Sequence, residues 1–274
     1  MNEANTRAAA SHPSQAGRTF GVELALGRID ADSNPAVIEQ IRGAVARHGF
    51  VVLRDQRFVD SALLALGRCF GTIEERVIKY STMGPLAARD ASLWHHHSHC
   101  HGALEDWILY YTPAVPQDGG ELELFDATQC FAQLDESDRV WARQQRVRHD
   151  FTHVAHSGVE PVAEPAWHPL VARRVIDGEV REALYLGAHA MELTDGTCLT
   201  QAAAGTPLAR IQEQARNQAL CHVLQARPHD LVVWDLKMVA HRSHSWASSS
   251  LRVIHEVMVK SVPERMPTTA GKRW

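Results

Sequence analysis

The chain has 274 residues, 45% of them hydrophobic and 22% charged, a balance ordinary for a globular protein that buries one large core. A net charge of -4 and scattered basic residues exclude a stripe that would track phosphates, so neither a nucleic acid nor an anionic membrane surface is an expected partner. No run of about 18 apolar residues is present to span a bilayer, and Cys69, Cys100, Cys130, Cys198 and Cys221, odd in number and without a CxxC pair, point to reduced thiols in a cytoplasmic protein.

Residues 1–18 are small and polar and read as a disordered tail; 19–262 are expected to form a single domain, and 263–274 a C-terminal tail. Phe20 to Leu26 suits a short strand. Pro35 opens a helix whose apolar face is Ile38, Ile41, Val45 and Ala46, stopping at His48-Gly49. Phe50-Val51-Val52-Leu53 is a buried strand, and Ser61 to Phe70 a second helix with Leu63, Leu64, Leu66 and Phe70 inward. Residues 72–93, with Gly84-Pro85 and little periodicity, read as a loop that could cover a site.

Trp94 to His101 reads WHHHSHCH. On an extended strand, His95, His97, His99 and His101 share one face, while His96 and Cys100 take the other. Trp107 to Tyr111 is an apolar strand that should stop at Thr112-Pro113. A turn at Pro116 to Gly120 precedes the alternating Glu121 to Asp126, then a helix near Thr128 to Leu134. Arg148 to Glu164 shows no period, and its His149, His153 and His156 read as polar loop or supporting residues. Trp167 to Val171, Val175 to Ala183 around Asp177-Gly178, and Leu184 to Leu186 look like hairpin strands. Pro207 to Leu224 reads as one amphipathic helix, and Leu231 to Trp234 and Val253 to Val259 as the last strands. Many short strands with few helices mean a mainly β barrel or sandwich with flanking helices. There is no internal repeat, glycine-rich phosphate loop or GxSxG elbow, which weakens nucleotide-binding and serine-hydrolase readings.

A face of neutral imidazoles is suited to a metal ion and needs a further ligand from a distance. Trp234 to His241, followed eleven residues later by Arg252, offers one. Arginine pairs with a carboxylate through two hydrogen bonds. Trp107, Tyr110 and Trp246 read as core aromatics rather than pocket walls.

In this order, His48-Gly49-Phe50-Val51-Val52-Leu53-Arg54-Asp55-Gln56, Cys69-Phe70-Gly71, Trp94-His95, Gly119-Gly120, Trp167 to Val171, Leu184-Tyr185-Leu186-Gly187, and Asp230 to Asp235 leading to His241 and Arg252 resemble the TauD/TfdA-like family of iron(II)- and 2-oxoglutarate-dependent oxygenases. The resemblance covers nearly the whole chain. It implies a double-stranded β-helix, a cupin-like jelly roll, with Fe(II) held by His95 and His241 and the co-substrate 2-oxoglutarate held by Arg252. O2 and a small-molecule substrate complete the expected partners, and a homo-oligomer is compatible with the chain.

Three positions depart from the family pattern. His97 stands where the metal-binding aspartate is expected, so the implied ligand set is His95, His97 and His241, with His99 or Asp126 as other candidates to complete it. Leu122 stands where a threonine helps hold the distal carboxylate of 2-oxoglutarate. Glu256 stands where the taurine enzyme has a sulfonate-binding arginine; a carboxylate there repels a sulfonate and favours an amine-bearing substrate. His99, Leu122 and Glu256 are thus candidate pocket residues.

Three neutral imidazoles leave iron(II) its two positive charges, which strengthens attraction for the 2-oxoglutarate dianion while making higher oxidation states harder to reach. They also suit zinc, the alternative metal. Three readings remain open: an oxygenase using 2-oxoglutarate, a three-histidine iron oxygenase independent of it, and a zinc-dependent hydrolase or lyase or a non-catalytic metal-binding protein on the same fold.

Overall fold

The computed structural model describes residues 6–7, 19–83, 94–96, 106–149, 165–176, 178–187, 190–247 and 249–260. Its strands, in chain order, are β1 (Thr6–Arg7), β2 (Val22–Leu24), β3 (Phe50–Leu53), β4 (Thr72–Ile73), β5 (Ile78–Met83), β6 (Trp107–Ala114), β7 (Leu122–Asp126), β8 (Arg146–His149), β9 (Ala166–Pro169), β10 (Val171–Ile176), β11 (Glu179–Leu184), β12 (Ala190–Leu193), β13 (Cys221–Leu224), β14 (Asp230–Asp235), β15 (Val239–Ser243) and β16 (Leu251–Lys260). One large sheet runs β1-β2-β3-β14-β6-β16-β4, with β5 also on β16; smaller sheets β13-β7-β15 and β12-β8-β9 and the hairpin β10-β11 complete a jelly roll.

Strand alternation divides the large sheet between two cores. Phe50, Val52, Ile108, Tyr110, Val232, Trp234 and Ile254 face the barrel interior, where they meet Leu122 and Leu124 of the smaller sheet. Val51, Leu53, Leu109, Tyr111, Leu231, Val233, Val257 and Val259 face the other way and pack under helices α1 (Pro35–His48) and α2 (Asp60–Phe70). Both faces of β3 and β14 are therefore buried, which is why those strands read as unbroken apolar runs. Helix α1 starts where the Asn34 side chain accepts from the Ala36 amide at 2.9 Å, with Pro35 in the first turn, and ends at Gly49 with φ 84°.

Four expectations need correction. Residues 72–93 are not one loop: β4 and β5 both pair with β16, and β5 escapes a periodicity reading because this edge strand leaves Lys79, Tyr80 and Ser81 exposed. Strand β6 does not stop at Thr112 but runs to Ala114, absorbing Pro113 at a register shift against β16, a place where a missing N–H is tolerated. Pro207 to Leu224 is not one helix. Helical residues end at Gln214, a short 3-10 turn follows, and Cys221–Leu224 pairs with β7, the interior-facing His222 and Leu224 alternating with Cys221 and Val223. Finally, the strand β8 runs into the beginning of the stretch from Arg148 that showed no period, and a helix over Glu136–Arg143, where no element was expected, precedes it. Five helices flank the strands among the described residues.

Gly67 lies where α2 packs against β16. A Cβ there would lie 2.8 Å from Val257 Cγ1 and 3.3 Å from Ile73 Cγ2. Glycine to alanine inside an ordinary helix stabilises by about 1 kcal/mol, but the β-branched Val257 side chain cannot swing aside. Gly67→Ala is therefore expected to destabilise by about 1–3 kcal/mol through overpacking. Adding Val257→Ala should recover part of that loss, measured by urea denaturation as a coupling energy; strictly additive single effects would refute the close-approach argument.

Candidate active site

The two histidine elements that the sequence offers for a metal, 146 residues apart, meet at one backbone bridge. His95 donates from its amide to the His241 carbonyl at 3.0 Å, and the His241 amide donates back to the His95 carbonyl at 2.9 Å. A pair that exchanges both bonds places its side chains side by side on one face, and the two ring centres lie 4.2 Å apart. Two imidazoles that bind one ion at about 2.1 Å in neighbouring positions have ring centres about 4–5 Å apart, so this pair fits a shared metal.

Each neighbour of His95 serves the same placement. Trp94 packs on Phe125 at 5.5 Å and lies under the Arg242 guanidinium at 4.6 Å. Arg242 is held by Glu123 at 2.6 Å, and His244 Nε2 reaches the same carboxylate oxygen at 2.8 Å. His96 turns to the opposite face, buried, its Nδ1 3.1 Å from the Leu236 carbonyl and its ring 4.4 Å from that of Tyr185. Burial pulls its pKa down to about 4, against the backbone hydrogen bonds to Leu236 and Leu184, so its ring is neutral at physiological pH. Gly187 backs the segment: a Cβ there would come within 3.1 Å of His95 Cα and of the Trp94 carbonyl.

From His241 the interior wall continues as a ladder of rings. Trp234 lies 5.1 Å from His241, and Tyr110 lies 5.4 Å from Trp234. The Tyr110 hydroxyl accepts a 2.7 Å hydrogen bond from Arg252 Nη2. Arg252 is only 5% exposed, and its guanidinium lies 5.1 Å from the centre of the Trp246 ring. Among the described residues no carboxylate stands within ion-pair distance of it. Trp246 is fixed in turn by the Gly119-Gly120 turn, where both glycines have positive φ and a Cβ on Gly119 would lie 2.2 Å from the Ser245 carbonyl.

The remaining predicted residues are distributed as follows. Leu122 is fully buried on β7, opposite Ser243. Glu256 is buried on β16, opposite Tyr110. Asp126 is a helix cap, its Oδ1 accepting from the Thr128 and Gln129 amides at 3.1 and 3.0 Å. His97 and His99 lie outside the described residues, as do Cys100, His101, His153 and His156. Among the described residues no group of three or more His, Cys, Asp or Glu could hold a metal, which accords with only two members of the expected set being described. His149 is a buried strand residue rather than a loop residue, its ring 5.5 Å from His168 and 5.6 Å from Tyr185. Tyr110 and Trp246 are buried as core aromatics are, but they also touch Arg252; an arginine predicted to sit inside a barrel should have prompted a search for its aromatic neighbours.

The sequence model described as "Taurine catabolism dioxygenase TauD, TfdA family" matches residues 10–258. The chain belongs to the TauD/TfdA family. Curated relatives include the alpha-ketoglutarate-dependent 2,4-dichlorophenoxyacetate dioxygenases of Burkholderia sp. (strain RASC), 22% identical with 88% of each chain covered, and of Cupriavidus pinatubonensis, 24% identical with 84% of this chain and 92% of the relative covered. Among solved structures, AAD-2 in complex with Mn(II) and N-oxalylglycine superposes with a TM-score of 0.76 at 20% identity, covering 94% of this chain and 97% of the other. A taurine dioxygenase from Burkholderia xenovorans superposes with a TM-score of 0.73 at 19% identity, covering 89% and 88%. The jelly roll expected from the TauD/TfdA resemblance is thus the observed fold, and the protein is a dioxygenase.

The Glu123 clamp of this TauD/TfdA member is sensitive to pH. Burial pushes the Glu123 carboxyl up, but hydrogen bonds from Arg242 and His244 outweigh that and hold it below the ordinary glutamate value of 4.5. A lowered carboxylate contributes stability that is complete above pH 4.5 and lost as pH falls further. Glu123→Gln should therefore cost about 2 kcal/mol at pH 7, with the gap to wild type narrowing below pH 4.5 in urea denaturation. An equal gap at both pH values would show that the ionised carboxylate is not the stabilising species.

Proposed function

We propose that this protein is an iron(II)- and 2-oxoglutarate-dependent dioxygenase that oxidises a small organic molecule, with His95, His97 and His241 on the metal and Arg252 on the distal carboxylate of 2-oxoglutarate. One observation carries the reading. Arg252 is a buried cation, without a carboxylate in ion-pair reach among the described residues, at the far end of a ring ladder that begins at the paired His95 and His241. Leaving a buried guanidinium without an anion costs several kcal/mol, and a co-substrate that brings a carboxylate offsets it with charge-assisted hydrogen bonds.

The names of the relatives and the bound N-oxalylglycine of AAD-2, itself a dicarboxylate, favour iron with 2-oxoglutarate over zinc. Iron(II) with 2-oxoglutarate and oxygen supplies the oxidising power, the keto acid leaving as succinate and carbon dioxide. The chain's own residues then bind, orient and insulate. Neutral His95, His97 and His241 leave the metal's charge uncompensated, so the dianion balances it. Arg252 fixes one end of that dianion, and the buried Trp234 and Tyr110 keep bulk water from the path between the two ends.

Glu256 supports a substrate unlike those in the relatives' names. A buried carboxylate on the same barrel face as Arg252 disfavours a second carboxylate or sulfonate and suits a cationic or amine-bearing molecule.

The test is to load the protein with iron(II) under anaerobic conditions, add 2-oxoglutarate and follow the visible charge-transfer band of the chelated keto acid. The wild type should show the band, and Arg252→Gln should weaken 2-oxoglutarate binding about 30-fold or more, as expected for losing a buried charged hydrogen-bonding partner, while still binding iron. No band from an iron-loaded wild type would favour a three-histidine oxygenase independent of 2-oxoglutarate.

A further inference from the structure

The WHHHSHCH run contains one described imidazole that the proposed ligand set leaves out. His96 is 1% exposed, and its Nδ1 lies 3.1 Å from the carbonyl oxygen of Leu236. A carbonyl oxygen can only accept, so Nδ1 carries the ring proton and donates it. The same ring rests on Tyr185, with centres 4.4 Å apart and planes inclined by 31°. Tyr185 is itself buried, and the rings of His149 and His168 stand 5.6 and 5.7 Å from it.

These contacts hold the ligand-bearing segment from behind. In front, His95 exchanges both backbone hydrogen bonds with His241. Behind, the His96 ring ties the segment to Leu236, in the turn between β14 and the strand that carries His241. Gly187 adds a close approach on the His95 backbone, where a Cβ would come within 3.1 Å of His95 Cα and of the Trp94 carbonyl. The 4.2 Å spacing of the His95 and His241 rings depends on where that backbone sits, and a displacement of about 0.5 Å is enough to spoil a ligand geometry.

Resting on the metal site proposed above, we propose that His96 is a positioning residue, whose Nδ1–H bond to Leu236 sets the His95 ring against that of His241 and so fixes the geometry of the coordinated ion without touching it. Of these two adjacent histidines, His95 binds and His96 aims. A residue that only filled the core would matter for its ring. One that positions through Leu236 matters for its N–H.

Cobalt(II) is the probe, because its d–d absorption bands report coordination number and geometry. The full-length protein is titrated with cobalt(II) under anaerobic conditions and without a keto acid. His96→Phe, which keeps a ring on Tyr185 and loses the N–H, should weaken cobalt binding about tenfold, as losses of supporting hydrogen bonds around metal ligands do, and change the band. His96→Asn, whose amide N–H takes the place of Nδ1–H, should keep the wild-type band while losing stability in urea, because the ring is gone. Gly187→Ala leaves His96 in place but presses on His95, so it should also change the band; with His96→Asn it decides the question should His96→Phe fail to fold. A wild-type band and affinity in His96→Phe or in Gly187→Ala, or a band in His96→Asn as altered as that of His96→Phe, would overturn the positioning role while leaving the ligand set standing. Cobalt binding that is no weaker in His241→Ala would instead overturn the ligand set itself.

Discussion

The reciprocal pair of hydrogen bonds between His95 and His241 is the constraint on which the site depends. It joins the segment before β6 to β15, and a second contact, from His96 to the Leu236 carbonyl, spans 140 residues. Neither bond involves an imidazole of the candidate metal pair, so both rings are placed by the backbone before any ion arrives. Preorganisation of this kind lowers the cost of binding, because the ligands need little further ordering.

Around that bridge the protein alternates apolar rings with a few fully engaged polar groups. Glu123, Arg242 and His244 hold Trp94 from outside the barrel, while Trp234 and Tyr110 line its inside. A comparable arrangement stands at the start of β6 and the end of β14, where Arg174 pairs with Asp106 at 2.8 Å and Asp235 at 2.6 Å and Lys237 adds a 2.6 Å bond to Asp106. Those charges compensate one another. Among the described residues, Arg252 differs in having a phenol and an indole beside it and no carboxylate to pair with, which is why it reads as a binding group and Arg174 as a structural one.

Much of this was legible in the sequence where two signals agreed. Phe50–Leu53 and Leu231–Trp234 are unbroken apolar runs because both faces are covered, and His95, His241 and Arg252 stood out by spacing within a resembled family. The misreadings have physical causes. Strand β5 is held by the free edge of β16 rather than by its own pattern. Cys221–Leu224 follows a helix closely enough for its apolar residues to extend the helical period by coincidence. Tyr110 looked like core because it is core; only Arg252, on the adjoining strand β16, gives its hydroxyl a charged partner. Sequence periodicity reports which face a side chain takes, not what it meets there.

The long separation between the two halves of the histidine bridge has a consequence in time. At about 5–20 residues per second of synthesis, the His95 segment leaves the ribosome roughly seven to thirty seconds ahead of its partner strand. During that interval His95 lacks the backbone partner that sets its ring beside that of His241. The paired arrangement of the two imidazoles therefore belongs to the finished barrel and exists only after β15 has closed on the His95 segment.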